Sequence, residues 1–187
     1  MKPAAAHDAI PWQRAGTLAG LLRERLARSP RRIAYRYFAD DAWHTLSWAE
    51  VAARVGRFQA ALRAERLPPG ARVAVMLPNG PDWACFDLAA LALGLVTVPI
   101  YAADRPDNAA YVLEHSGAAL LLAPSDAHWQ ALLPHGYLGA LQRVVLTQGA
   151  VDDDRVLALD RWLPAAGEFS VECHDGEALA SIVYTSG

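Results

Sequence analysis

Lysine is almost missing from this chain of 187 residues: of its 17 lysines and arginines, Lys2 is the only lysine. A mechanism that needs an internal lysine, as a Schiff-base former or as the point charge of a phosphate site, cannot be completed by these residues. Cysteine is nearly as scarce. Cys85 and Cys173 stand far apart with no CxxC pairing, so free thiols are expected rather than a disulfide framework, as suits a reducing compartment. The six histidines, His7, His44, His115, His128, His135 and His174, show no HExxH or other ligand spacing, which argues against a histidine metal centre. The N-terminus lacks the apolar core of a signal peptide. The longest apolar stretch, residues 88–100, contains Gly94 and Pro99 and is too short to span a bilayer. A net charge of −3 gives no electrostatic case for nucleic acid. These absences point to a cytoplasmic protein without a nucleic-acid partner.

What is present is globular: 53% hydrophobic and 20% charged residues, enough for one domain with a core. Leucines 18, 21, 22 and 26 form a helical stripe between Thr17 and Pro30. Residues 33–38 and 43–46 are strand-like around Ala39-Asp40-Asp41-Ala42, which predicts a hairpin. Ser47-Trp48-Ala49-Glu50 fits a capping box. It predicts a helix to about Glu65 with Val51, Val55, Phe58 and Leu62 on one face. Pro68-Pro69-Gly70 breaks the chain and is the best boundary, dividing residues 1–67 from 71–187.

Beyond it the pattern alternates. Strands are expected at 72–77, 95–101, 118–123 and 143–147, with helices at 81–93, 104–116 and 126–133 between them. This rhythm predicts an α/β fold with a doubly wound, mainly parallel sheet and flanking helices. Residues 156–163 read as a short strand or helical turn, and 170–177 as a polar connector. Leu179–Tyr184 reads as a buried strand.

Chemistry-bearing motifs are few. No paired carboxylates, Cys/His dyad, G-x-S-x-G elbow or G-x-G-x-x-G loop stands out. Pro78-Asn79-Gly80 reads as a plain turn, Tyr101 as a packed aromatic and Asp104 as a helix-start carboxylate. Trp48 and Trp83 read as core, and Asp152-Asp153-Asp154 as a solvated acidic turn. Thr185-Ser186-Gly187 follows the last apolar run. Small hydroxyl residues and glycine after a parallel strand suit a phosphate cradle, because glycine admits close approach and N–H and O–H groups donate. The same residues also suit a surface turn.

Val183-Tyr184-Thr185-Ser186-Gly187 resembles the opening of the phosphate loop of AMP-forming adenylate synthetases, which continues there as T-T-G-x-P-K-G. Residues 72–83 (RVAVMLPNGPDW) and 90–101 (ALALGLVTVPIY) are similar to the long-chain fatty acyl-CoA synthetase branch. So are Asp104-Arg105-Pro106-Asp107-Asn108, Tyr111-Val112-Leu113 and Ser116-Gly117-Ala118. Thr45-Leu46-Ser47-Trp48-Ala49-Glu50 also matches an early family region. The resemblance covers residues 17–187. It implies a fatty acid activated as acyl-AMP at the expense of Mg²⁺-ATP, with release of pyrophosphate, and then transferred to coenzyme A. Carried over by position, Thr185, Ser186 and Gly187 begin the ATP phosphate loop, and no residue here matches a catalytic or metal-binding one.

The resemblance therefore implies an N-terminal portion of a synthetase, inactive alone and binding none of these ligands tightly. Residues 1–67 are expected to belong to a second, incomplete sheet. The faces Leu18/Leu21/Leu22 and Val51/Val55/Phe58 are expected to lie uncovered and to favour self-association. Homo-oligomerisation and peripheral membrane association are carried as partner expectations. An aryl-, short-chain- or amino-acid-activating relative and a non-catalytic α/β binding module remain as alternatives.

Overall fold

A computed structural model describes residues 8–185. After a short helix α1 (Trp12–Ala15), Thr17 caps α2 (Leu18–Arg28) by accepting from Gly20 N at 2.9 Å. Strands β1 (Ile33–Ala39) and β2 (Ala42–Ser47) then pair antiparallel. Their two-residue loop is Asp40-Asp41, both at positive φ (49° and 57°). That is the twist a tight hairpin needs, and aspartate tolerates it. Ser47 and Glu50 form the capping box that starts α3 (Trp48–Ala64), a cap of this kind contributing about 1 kcal/mol.

The second stretch builds the sheet. Strand β3 (Arg72–Val75) is followed by α4 (Pro81–Ala92), β4 (Val96–Pro99), α5 (Pro106–Ser116), β5 (Leu120–Ser125) and α6 (Asp126–Leu132). Then come β6 (Arg143–Gln148), β7 (Val156–Ala158) and α7 (Leu159–Trp162). Both expected forms thus occur in 156–163, strand first and helical turn second. The five strands are parallel in the order β4-β3-β5-β6-β7.

Strand alternation sorts the apolar residues to two faces. Val73, Val75, Leu120, Leu122 and Val145 meet α2, α3, α4 and α7 on one side. Ala74, Leu121, Ala123, Val144 and Leu146 meet α5 and α6 on the other. A sheet covered on both faces is what makes its strands continuous apolar runs. Phe58 is the pivot of the first core, edge-on to Phe86 at 5.9 Å and tilted against Trp162 at 6.2 Å.

The expected uncovered faces are corrected here. Val51, Val55, Phe58 and Leu22 are buried, because α3 lies against α4 and α2 and is built into the sheet's own core. Leu18 and Leu21 are exposed, as expected. The last apolar run is also corrected. Residues 179–184 form no full strand; they make a single parallel bridge, Ser181 to Thr97 on the outer edge of β4. Leu179 is 62% and Val183 67% exposed. Among the described residues nothing pairs with the run's other side, so only one flank is protected. Among the same residues, no helix is long and apolar enough to cross a membrane.

Candidate functional site at the C-terminal edge of the sheet

In an open parallel sheet the strand ends leave a crevice where neighbouring connections diverge, and ligands gather at the carboxyl ends. Here the order reverses between β3 and β5. The connections at that edge carry Pro78-Asn79-Gly80, Tyr101 and Asp104, Ser125 and Gln148-Gly149. Pro78-Asn79-Gly80 is a bend that hands the chain to Pro81 at the start of α4. Asp104 accepts from Arg105 N at 2.9 Å and from Asn108 Nδ2 at 2.5 Å, the helix-start role expected of it. Tyr101 is not packed. It is 82% exposed, past the end of β4 and uncovered by any helix among the described residues. Trp48 and Trp83 flank the first core, half-buried.

Thr185 joins this edge by a route that the sequence did not disclose. The polar connector after α7 is strapped along α3. Arg57 Nε donates to Pro164 O at 2.8 Å. Buried Gln59 donates to Ser170 O at 2.7 Å and accepts from Ser170 N at 3.0 Å, replacing a missing backbone partner. Arg63 pairs with Glu172. Between these ties the two backbones touch. A Cβ on Gly56 would lie 2.3 Å from Gly167 O, and one on Gly167 2.2 Å from Gly56 O. Glycine is therefore required at both positions for contact rather than for turning.

The strap continues over the end of α4, where Glu172 N and Cys173 N donate to Ala92 O at 2.9 and 3.0 Å. It then reaches the sheet edge. Thr97 N donates to Ala180 O at 3.0 Å and Ile182 N to Thr97 O at 2.9 Å. Among the described residues the pairing with β4 ends at Ile182, and Thr185 follows three residues beyond it. Thr185 is exposed. Ser186 and Gly187 lie outside the described residues.

The electrostatics under this segment are unusual in one respect. Asp87 on α4 reaches the same edge, and burial pushes its carboxyl up while a hydrogen bond from Thr97 draws it partly back. Burial also raises the Tyr184 phenol, with Tyr111 beside it adding to the effect. Elsewhere, Asp153 is held below the usual carboxylate range by its hydrogen bonds with Arg155, whose guanidinium lies 5.8 Å over the Trp129 ring. Asp152 and Asp154 are exposed, so the turn is solvated as expected, with only Asp153 tied to Arg155. Cys85 is buried, its thiol pushed up to about 12, and both cysteines are free. Ser125 Oγ lies 2.8 Å from His128 Nδ1 at the end of β5, a pair that sequence reading missed. Its i,i+3 spacing was a usable signal.

Comparison with known proteins agrees with this geometry. The family description "AMP-binding enzyme" matches residues 22–187. The chain belongs to the AMP-binding enzyme family. Long-chain-fatty-acid–CoA ligase FadD15 of Mycobacterium bovis (strain ATCC BAA-935 / AF2122/97) is 30% identical over 180 residues, covering 91% of this chain and 29% of its own length. Sulfoacetate–CoA ligase of Cupriavidus necator is 30% identical over 171 residues, again 91% of this chain and 32% of the ligase. Among solved structures, the N-terminal domain of FACL13 from Mycobacterium tuberculosis superimposes with a TM-score of 0.76 at 26% identity, over 91% of this chain and 42% of that one. This member of the family spans under a third of the two ligases' lengths, and its sheet is the N-terminal α/β sheet of adenylate-forming enzymes.

Proposed function

We propose that this chain is the N-terminal portion of an ATP-dependent acid–CoA ligase, with a long-chain fatty acid as substrate, and that Thr185, Ser186 and Gly187 begin its ATP phosphate loop. One observation supports the reading: in a chain of the AMP-binding family, the segment leading to Thr185 bridges in parallel to the edge strand β4 of a parallel sheet, and such sheets bind phosphates beyond the carboxyl ends of their strands. The donor set fits the start of a cradle. Thr185 offers one N–H and one hydroxyl, while a triphosphate needs several donors, a cation and a lysine. The chain's own contribution is to tie the segment that carries that first donor to β4 through the Thr97–Ser181 bridge.

When bound, Mg²⁺-ATP supplies the activated phosphorus that a carboxylate attacks; coenzyme A is the acceptor in the second half. The exposed β1–β2 hairpin, with Ile33, Phe38 and Trp43 outward, is read as part of a second sheet. A second reading rests on the sulfoacetate–CoA ligase match, which favours a small polar acid instead. Acid-dependent ATP–pyrophosphate exchange decides. The full-length enzyme that carries this segment is expected to exchange with fatty acids and residues 1–187 alone are not. Activity only with short or polar acids would select the second reading, and exchange with no acid at all would end both.

A further inference from the structure

The phosphate-loop reading begins at Thr185 and gives no role to the residue before it. Tyr184 is nonetheless the most elaborately held side chain of the terminal segment. Its hydroxyl lies 2.7 Å from His115 Nδ1. The His115 ring is stacked on Tyr111, centroids 5.3 Å apart at 24°. Tyr184 stands edge-on to both, 5.7 Å from His115 at 85° and 6.4 Å from Tyr111 at 86°. Edge-to-face placement is the favourable geometry for such rings. Tyr111 and His115 are four residues apart on α5 and so share one face of it. The helix is anchored from its other side, through buried Ala109, Ala110, Val112 and Leu113.

The backbone of the segment is held much less firmly. Two hydrogen bonds to Thr97 form its one bridge to the sheet, and a single bridge lets a chain pivot about it. Ile182 and Tyr184 both turn toward the α5 side of the core while Val183 is exposed, so Tyr184 is the last inward-facing side chain before Thr185. We propose that His115 and Tyr111 are positioning residues: acting through Tyr184, they fix the direction in which the backbone leaves the sheet at Thr185 and so set the first donors of the phosphate site. A neutral imidazole protonated on Nε2 accepts the phenol's hydrogen at Nδ1, and stacking on Tyr111 fixes the ring plane. The catalytic part of this inference rests on the phosphate-loop reading; the mechanical part does not.

Two measurements separate the parts. In residues 1–187, hydrogen exchange at the Ile182 amide should quicken about tenfold in His115→Ala while amides of β5 keep their rates, the scale of one lost hydrogen bond. An unchanged Ile182 rate, or equal quickening in β5, overturns the positioning role. In the full-length enzyme, His115→Ala and Tyr184→Phe should raise KM for ATP about tenfold with kcat within about twofold and KM for the acid unchanged. His115→Asn, which keeps a polar atom at the Nδ1 position, should recover most of the loss. An unaltered KM for ATP in an active enzyme overturns the catalytic part. If the wild-type enzyme shows no acid-dependent exchange, the phosphate-loop reading fails and the catalytic part with it, while hydrogen exchange still decides the tether.

Discussion

Two apolar runs in this chain look alike as sequence and differ as structure. Residues 118–123 (AALLLA) lead into and fill most of the central strand β5, paired with β3 on one side and β6 on the other, with Leu120, Leu121 and Leu122 all 0% exposed. Residues 179–184 (LASIVY) make one bridge to the edge of β4 and expose Leu179 and Val183. Composition is not what separates them. A strand is defined by the partners that satisfy its N–H and C=O groups and cover its two faces, and only the first run has both. The second is the segment that delivers the proposed phosphate loop, and weakly held elements are where ligand-binding loops belong.

The comparison breaks most visibly in the core. Leu121→Ala removes a side chain enclosed between the sheet and the α5/α6 layer, and should cost roughly 2–5 kcal/mol, read as a lower urea midpoint at constant slope. A loss below about 1 kcal/mol would mean that the layer collapses around the hole, and that β5 is less tightly packed than its burial implies.

Much of this contrast is local and was legible. Asp40-Asp41 between two strand-like runs, Ser47 with Glu50, and Pro81 at a helix start each encode their geometry within four residues. The alternation of short apolar runs with helical stretches encoded the parallel sheet, and the family signature at residues 72–118 located it. What was not legible is long-range. Nothing local marks Gln59 within its helix, yet it is buried against Ser170, 111 residues away. Gly56 and Gly167 show no joint signal, since their need for glycine arises only where the two backbones meet. Leu179–Tyr184 has the character of a buried strand, and the missing neighbour cannot be read from the run itself. Tyr101 failed for the same reason: an aromatic after a strand is packed only if something covers it.

The strap supplies the next test. Gly56→Ala drives a methyl into the Gly167 carbonyl, where backbone must yield, and overpacking of this kind costs about 1–3 kcal/mol. The effect should be uneven: faster hydrogen exchange at Ser170 and Ile182, with β5 amides moving only as far as global stability falls. Uniform acceleration would show that strap and sheet unfold together.

A smaller effect should distinguish the edge from the core by pH. Asp87 sits in the folded state with its carboxyl raised by burial, so its proton is held more tightly there than in the unfolded chain. Ionising it therefore disfavours folding. The penalty is absent below the ordinary carboxylate range, grows as pH rises through the folded-state value, and is complete above it. Asp87→Asn should be more stable than the wild type at pH 7, with the advantage fading at about pH 3. An advantage independent of pH would point to packing rather than to charge.

The smallest effect is the most discriminating. Val183 belongs to an apolar run, and by composition its truncation should resemble a core mutation. By structure it is 67% exposed and lies on the outward side of a segment with one bridge. Val183→Ala should therefore change stability by no more than about 0.5 kcal/mol. The paired substitution Leu121→Ala, at the same apolar character but between two strands, should cost several times more. A loss above about 1 kcal/mol at Val183 would mean that something covers this side in solution, most simply a second copy of the chain. In that case the loss should grow with protein concentration, because an association that protects the folded state strengthens by mass action. A small loss that ignores concentration leaves residues 179–184 as a one-sided edge, positioned from α5 and β4.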